Sequence, residues 1–182
     1  MRYLLLDLDG VLTTGPSRYM WDPTKFDERA IAAIEHLLLE SQAAVVVHSS
    51  WRKLPEAPPG PWKFPPALSW WYWSLNWFRE LCKHQGANEL AARLFAEAPF
   101  KFTTSRGQEI FMWIDQNHKK GDTYVVLDDE VYTINESLGH RKDVLVIETN
   151  DKTGLTREQA NQALAWWKEK EPSNDISSLL LL

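Results

Sequence analysis

The sequence is poor in cysteine and has no long apolar run. Cys82 is the single cysteine among 182 residues, which excludes an internal disulfide framework and makes a small buried hydrophobic side chain its expected role. No stretch approaches the roughly 20 apolar residues of a membrane-spanning helix. Asp7 also interrupts the apolar N-terminal segment that a signal peptide needs. We therefore expect a soluble, cytoplasmic protein with no membrane partner.

Positive charge is scarce as well. Lys and Arg number 20 against 25 Asp and Glu, and the formal net charge is −5. Non-specific binding to nucleic acid depends on the neutralisation of phosphates by Lys and Arg, so the overall charge argues against it and leaves only a local basic groove open. The length predicts one domain at 1–170, with a Pro- and Trp-rich helical insert at about 53–98 and a flexible tail at 171–182.

Apolar periodicity predicts five strands that alternate with helices. The strands are Tyr3–Leu6, Ala43–Val47, Phe100–Thr104, Thr123–Leu127 and Asp143–Ile147. The helices are Phe26–Leu39, Ala67–Gln85, Asn88–Glu97, Gly107–Asn117, a short one within Val131–Leu138, and 157–170 behind a capping motif at Thr156. This alternation is typical of a doubly wound α/β fold with a parallel sheet.

Three of the strands end in polar side chains that can carry chemistry. Asp7 and Asp9 follow the first strand, and the strand period of two places them on one face. The other two strands end in the pairs Ser49/Ser50 and Asp128/Asp129. The carboxyl ends of parallel strands share one edge of the sheet, where ligands bind, and neighbouring carboxylates attract a divalent cation. We therefore expect these side chains to converge.

The run Leu-Leu-Leu-Asp-Leu-Asp-Gly-Val resembles motif I of the haloacid dehalogenase (HAD) superfamily. The resemblance implies a HAD-like Rossmannoid three-layer sandwich with strand order 5-4-1-2-3 and a small cap or none. It also implies that Asp7 is a nucleophile and metal ligand, while Asp9 is the acid/base and binds metal through its backbone carbonyl. Asp128 and Asp129 match the motif IV pair that completes a Mg²⁺ site.

The phosphate-binding motifs match less closely. Ser49 matches the motif II residue that hydrogen-bonds a phosphoryl oxygen, and Ser50 is its neighbouring alternative. Most HAD enzymes place a lysine at motif III, whereas here Arg106 is the best positional match and Lys101 the second choice. An arginine can hold phosphate through two N–H groups.

The run Val-Val-His-Ser-Ser-Trp-Arg looks like the HAD branch of RNA-repair-type proteins. That branch implies nucleotides or polynucleotide ends as substrates, with Trp51, Arg52 and Trp71 as candidate contacts. The Trp-rich segment has two readings, because its tryptophans could stack on bases or form an ordinary core stripe. His48 is expected to be a hydrogen-bonded histidine near the core.

The leading hypothesis is a Mg²⁺-dependent phosphatase that forms an aspartyl-phosphate on Asp7. A metal-dependent nuclease is an alternative, because carboxylates at strand ends can hold metals for that reaction too. A nuclease needs neither Ser49 nor a cation at Arg106. A non-catalytic, phosphate-sensing adaptor is the third hypothesis, and the absent motif III lysine is the feature that favours it. The sequence leaves the oligomeric state open.

Overall fold

The computed structural model describes residues 1–15, 25–53, 74–99 and 103–171, which contain one five-stranded sheet. The strands are β1 (Arg2–Leu6), β2 (Ala44–Val47), β3 (Leu94–Glu97), β4 (Thr123–Asp128) and β5 (Val144–Glu148). All paired neighbours are parallel, in the order β3-β2-β1-β4-β5. This is the predicted order 5-4-1-2-3 read from the other end, so the predicted α/β fold is confirmed.

Six α-helices and one 3₁₀ helix lie in the described residues. They are α1 (Glu28–Ser41), the 3₁₀ helix (Ser50–Lys53), α2 (Leu75–His84), α3 (Asn88–Arg93), α4 (Arg106–Asn117), α5 (Tyr132–Leu138) and α6 (Arg157–Lys170). Side-chain caps fix where four of them begin, α2 among them through Ser74, because they bind N–H groups that lack partners in the first turn. Asp27 caps α1, and Ser105 and Thr156 open α4 and α6 with capping boxes.

The helices cover both faces of the sheet. Leu4 and Leu6 of β1 belong to the larger apolar cluster, which α1 and α6 complete, while Leu5 belongs to a second cluster with α4 and α5. Successive residues of a strand point to opposite faces, so β1 contributes to both cores. Cys82 is fully buried in the larger cluster, as the sequence predicted.

The prediction of a third strand at Phe100–Thr104 is wrong. Residues 100–102 lie outside the described residues, and the third strand is β3, which pairs with β2. It occupies the end of the segment predicted as a helix from Asn88 to Glu97, so the region 53–98 is not a purely helical insert. Leu, Ala and Glu favour helices, but backbone pairing with β2 decides the conformation here.

One predicted helix cap and one predicted helix start are also corrected, while α3 begins at Asn88 as predicted. Asn88 does not cap α3, because Ala87 holds the N-cap position without a side-chain hydrogen bond. The carboxylate of Glu35 on α1 instead accepts the N–H groups of Glu89 and Leu90, each at 2.9 Å. The helix predicted at Ala67–Gln85 corresponds to α2, which begins at Leu75. Its N-cap is Ser74, whose backbone is extended.

Two other predictions fall largely outside the described residues. The Pro-rich arm and most of the Trp-rich segment lie in 54–73, and the predicted tail lies mostly in 172–182. In the described parts of the chain, no helix is both long enough and apolar enough to span a membrane.

Candidate active site

Asp7 lies directly after β1, at the edge of the sheet formed by the carboxyl ends of the strands. Its N–H donates to the carbonyl oxygen of Leu127 at 3.0 Å, which continues the β1–β4 pairing. Its side chain is fully buried, and its Oδ1 atom has no hydrogen-bond partner in the described structure. A buried oxygen without a partner destabilises the folded protein. A ligand that bound Oδ1 of Asp7 would therefore stabilise it.

Asp9 lies in the turn that follows and is half-buried. Its Oδ1 accepts a hydrogen bond from the Thr13 hydroxyl at 2.9 Å, and the N–H of Gly10 donates to the Thr13 carbonyl at 2.8 Å. Because β1 ends at Leu6, Asp9 is positioned by this turn. The two-residue period of a strand, from which the sequence placed Asp7 and Asp9 on one face, does not apply here.

Asp128 and Asp129 reach the same place from the end of β4. Asp128 is fully buried, and the N–H of Glu130 donates to its Oδ1 at 2.7 Å. One carboxylate oxygen from each of Asp7, Asp128 and Asp129 lies within 4.8 Å of the others. Three carboxylate oxygens are a donor set that suits a hard cation such as Mg²⁺, and the unpartnered Oδ1 of Asp7 leaves a lone pair for it. These residues fit a metal ion.

Gly10 lets the turn after β1 approach Asp129. Its φ is +71°, and an added Cβ would lie 2.2 Å from Oδ2 of Asp129. Both the backbone conformation and the space therefore require glycine. Gly10 thus allows the Asp129 carboxylate to lie against the turn after β1.

Arg106, the first residue of α4, lies between the buried carboxylates. Its Nη1 donates to Oδ2 of Asp7 at 2.9 Å, and to Oδ1 and Oδ2 of Asp128 at 2.7 and 2.8 Å. Against the effect of burial, these two carboxylates raise the pKa of Arg106, so the guanidinium is always charged. The structure thus brings Arg106 to the site, whereas Lys101 lies outside the described residues.

Burial dominates the electrostatics of the two carboxylates. It raises the pKa of Asp7 to about 7, against the opposing effect of Arg106. Burial also raises the pKa of Asp128, again against Arg106. One guanidinium therefore does not compensate for the desolvation of both groups, and a further positive charge at this edge stabilises their ionised forms.

The loop after β2 carries Ser49 and Ser50. Ser49 is fully buried and helps to lower the pKa of Asp7, against burial, which places its hydroxyl group beside that carboxylate. Ser50 begins the 3₁₀ helix and is half-buried. Of the two serines, Ser49 is therefore the one that the structure brings to Asp7.

His48 also reaches this site from the loop after β2. The ring is fully buried, with Nδ1 at 3.5 Å from Oδ2 of Asp128. Its ring nitrogens make no hydrogen bond of good geometry in the described structure, although backbone groups of Leu5 and Leu127 are close enough to act on its pKa. Its predicted place near the core is confirmed. Burial lowers its pKa, and Arg106 and Arg52 add to the effect. The ring is therefore neutral.

The side chain of Arg52 points towards the interior of the protein. Its guanidinium donates to the Glu109 carboxylate at 3.0 Å, to the carbonyl of Ser49 at 2.9 Å, and to the carbonyls of His48 and Ala98. Only 4% of the Arg52 side chain and 6% of the Glu109 side chain are exposed. The structure therefore does not support the sequence prediction of a substrate contact, and Arg52 instead ties the loop after β2 to α4.

The two tryptophans predicted as substrate contacts are placed differently. Trp51 is half-buried and packs against Trp77, with ring centroids 6.4 Å apart. Trp71 lies outside the described residues. A contact between either side chain and a substrate stays a prediction.

Sequence reasoning missed Glu109 and Gly107. Glu109 follows Arg106 by one helical turn, but its partner is 57 residues away, so no local pattern indicates the pair. Gly107 allows α4 to touch α5, because an added Cβ would lie 1.9 Å from the Thr133 carbonyl oxygen. A glycine inside the first turn of a predicted helix was the one available signal, since glycine is unfavourable there.

A family model described as the HAD domain in Swiss Army Knife RNA repair proteins matches residues 3–160. The chain belongs to this family. The resemblance seen in the sequence is thus confirmed, and the sheet order agrees with a HAD-type Rossmannoid fold. No curated protein and no solved structure matches this chain.

Proposed function

We propose that this HAD domain is a Mg²⁺-dependent phosphatase that works through an aspartyl-phosphate on Asp7. Family membership supports a HAD-type hydrolase in general. The observation that carries the proposal is the Oδ1 atom of Asp7, which is buried without a hydrogen-bond partner in the described structure, beside Arg106 and two further carboxylates. Such an oxygen is suited to attack an electrophile or to bind a cation.

The reaction assigns a different task to each group. A carboxylate oxygen of Asp7 attacks phosphorus, and the bond from phosphorus to the leaving oxygen breaks. Asp9 protonates that oxygen and then takes a proton from the water that attacks the aspartyl-phosphate. The products are the dephosphorylated substrate and inorganic phosphate, and Asp7 is regenerated.

The remaining groups offset the negative charge of the phosphoryl group. Arg106 and the Ser49 hydroxyl bind phosphoryl oxygens, and preorganised donors of this kind stabilise the charge of the transition state. Asp7, Asp128 and Asp129 would hold Mg²⁺, and the ion would supply Lewis-acid stabilisation of the phosphoryl oxygens. Nucleotides or nucleic-acid ends are the substrate class that we propose, which the description of the family supports.

Hydrolysis of an aryl phosphate and an alkyl phosphate tests these roles. We expect Asp7→Asn to abolish hydrolysis of both compounds in the presence of Mg²⁺. Asp9→Asn should impair the alkyl phosphate far more than the aryl phosphate, because an aryloxide leaves without a proton and an alkoxide does not. Full activity of Asp7→Asn would exclude Asp7 as the nucleophile.

The two alternatives make different predictions. Cleavage of internal phosphodiester bonds alone, with no release of phosphate from monoesters, would establish a nuclease. The adaptor hypothesis depends on the absent motif III lysine, but Arg106 lies beside both buried carboxylates and supplies the charge that the lysine would bring. That geometry favours the phosphatase over the adaptor.

A further inference from the structure

A cavity of about 480 Å³ lies between the first turns of α1 and α6, beside the turn that follows β5. Three basic side chains line it, those of Arg29, Lys152 and Arg157, and all three residues are exposed. Its apolar lining includes Ala32 and Leu155. The cavity therefore combines cations with a surface that can contact an apolar group.

Three cations and one carboxylate line this cavity, so its lining carries a net positive charge. None of the ion pairs among the described residues involves Arg29, Lys152 or Arg157. Asp27 also lines the cavity, but its carboxylate caps α1 by accepting the N–H of Arg29 at 2.8 Å and of Ala30 at 3.4 Å. In a chain with a net charge of −5, this is a local basic groove.

The cavity adjoins the turn that holds the catalytic carboxylates. The N–H of Leu155 donates to the carbonyl of Val11, and the N–H of Asp27 donates to the carbonyl of Leu12, both at 2.8 Å. Val11 follows Asp7 by four residues, which span at most about 14 Å of extended chain. Since α1 and α6 follow strands of the sheet, their first turns lie at the same edge as Asp7.

We propose that this cavity is a second anion subsite, which binds an internal phosphate of a nucleic-acid strand whose terminal phosphate lies at Asp7. The inference rests on the proposed function and names a determinant of its specificity. The three cations match a phosphodiester, and the apolar lining accommodates the sugar or base beside it. A strand with successive phosphates can span the distance between the two sites, whereas a nucleoside monophosphate fills the Asp7 site alone.

Binding to the Asp7→Asn protein tests the subsite without turnover. The probes are a fluorescent hexaribonucleotide with a terminal phosphate, the matching mononucleotide and a nucleoside 3′,5′-bisphosphate. We expect the triple variant Arg29→Ala/Lys152→Ala/Arg157→Ala to bind the hexanucleotide at least tenfold more weakly, with the mononucleotide unaffected. The slope of log Kd against log salt should fall by about 0.7, because the cavity binds one phosphate and each phosphate of a single strand contributes about that much.

A charge-matched control removes Lys119, Lys120 and Lys168, which are exposed and do not line the cavity. This variant should bind the hexanucleotide like its parent, and equal weakening of both triple variants would reduce the effect to net charge. Unchanged affinity and salt slope in the cavity variant would overturn the subsite. A bisphosphate that binds as tightly as the hexanucleotide would overturn the assignment to a strand.

Aryl phosphate hydrolysis separates this inference from the proposed function. With Asp7 restored, the cavity variant should hydrolyse an aryl phosphate at the wild-type rate, because that substrate does not reach the cavity. Loss of this activity would show that the three side chains support the fold rather than a ligand. Hydrolysis that persists in Asp7→Asn would defeat the phosphatase mechanism while the binding result stood. The single substitutions, measured in the same way, cover the case in which the triple variant does not fold.

Discussion

The guanidinium of Arg106 lies between two buried carboxylates that we propose as metal ligands. A single nitrogen, Nη1, donates to Asp7 and to both oxygens of Asp128. A divalent ion on the same carboxylates would be repelled by this charge at short range. We therefore expect Arg106 and the metal to compete for these carboxylates, with Arg106 partly stabilising them when no metal is bound.

Substitution of Arg106 tests that competition. We expect Arg106→Gln to lower the Tm of the metal-free protein and to enlarge the increase in Tm that Mg²⁺ produces, because the carboxylates lose their only nearby guanidinium among the described residues. Thermal unfolding with EDTA and with Mg²⁺ measures both quantities. Arg141→Gln is the control, since Arg141 pairs with Asp143 away from the site. An equal Mg²⁺ increment in the wild type and Arg106→Gln would show that the two cations do not compete.

The raised pKa of Asp7 predicts the pH at which its charge destabilises the protein. Its pKa is near 4 when unfolded and about 7 when folded, so the folded state binds a proton more tightly and stability falls as pH rises through this range. In EDTA, Asp7→Asn should therefore raise the Tm above pH 7 by several degrees and leave it unchanged below pH 4.

Asp122 supplies a control of opposite sign. Against the effect of burial, the N-terminal ammonium lowers the pKa of Asp122, and the two groups are 2.8 Å apart. This pairing contributes stability above the unfolded pKa and is lost as pH falls. Asp122→Asn should therefore lower the Tm at neutral pH and have little effect in acid. Parallel pH profiles for the two variants would refute the assignment for Asp7.

Site residues could be predicted where a polar side chain directly follows a strand. They could not be predicted where the side chain's partner is distant in sequence. Asp7, Ser49 and Asp128 follow apolar runs, and the rule that parallel strands end at one edge brings them together. Arg106 was placed by its position at the start of a helix. The inward turn of Arg52 could not be foreseen, because Glu109 and the Ala98 carbonyl reach it only in the folded chain.

At the scale of elements, the pair formed by Arg52 and Glu109 connects the loop after β2 to the first turns of α4. Arg52 holds the carbonyl of Ser49, and Glu109 lies one helical turn beyond Arg106. The two elements that carry the proposed phosphate-binding residues are thus fixed to each other through one buried ion pair. The role of such a pair is positional, since neither side chain is exposed enough to meet a substrate.

The variant Glu109→Gln should loosen that connection. It leaves a buried guanidinium without its anion, and we expect a loss of roughly 1–3 kcal/mol in the free energy of unfolding. Hydrolysis of an aryl phosphate should show a raised KM at nearly constant pH dependence, because phosphate binding suffers while the groups that titrate stay in place. Urea unfolding and steady-state kinetics measure the two effects.

The double variant Arg52→Gln/Glu109→Gln is the matched test of coupling. Removing both charges leaves no unpaired ion, so the double variant should be more stable than the sum of the two single losses implies. Strictly additive losses in the free energy of unfolding would mean that the two side chains do not act as a pair.

Elements were predictable where their limits are encoded locally. The capping residues Thr156 and Asp27 fix the start of α6 and α1, and the predictions for both hold within two residues. The prediction of β3 was wrong because its residues have helical propensity and adopt a strand only through pairing with β2. The cap predicted for α3 was wrong for a related reason, since the carboxylate that binds its first N–H groups comes from Glu35 on another helix.

At the scale of the whole molecule, the single cysteine lies in the core that α1, α2 and α6 share with the sheet. Cys82 is fully buried, and burial raises the pKa of its thiol. A thiol in this state reacts only when the core opens. Its reactivity therefore measures the stability of the entire domain.

We expect a disulfide reagent to label Cys82 slowly in the native protein and rapidly in denaturant. The labelling rate should fall further when Mg²⁺ and a phosphate analogue stabilise the folded state. Asp7→Asn, which lacks the nucleophile, offers a control in which the analogue gives less protection. Rapid labelling under native conditions would indicate local opening around α2 rather than global unfolding.

The fold as a whole was the most predictable level. Alternating strands and helices with short connections leave few arrangements, because crossovers between parallel strands are right-handed. The sheet order was implied by the resemblance to the HAD superfamily, and the edge that bears the site follows from the shared carboxyl ends of the parallel strands. The exact place of β3 was not accessible, because an edge strand buries fewer side chains and carries a weaker apolar pattern.

The central position of β1 has a consequence for synthesis on the ribosome. β1 emerges first, yet its partner β4 follows Arg106, which itself lies 99 residues after Asp7. A nascent chain that has not yet reached β4 can pair β1 only with β2, and it leaves Asp7 in water with an ordinary acidity. The desolvation of Asp7 and Asp128 is therefore deferred until β4 docks, late in translation. Docking of β4 is the step of folding at which a cation from solution matters most.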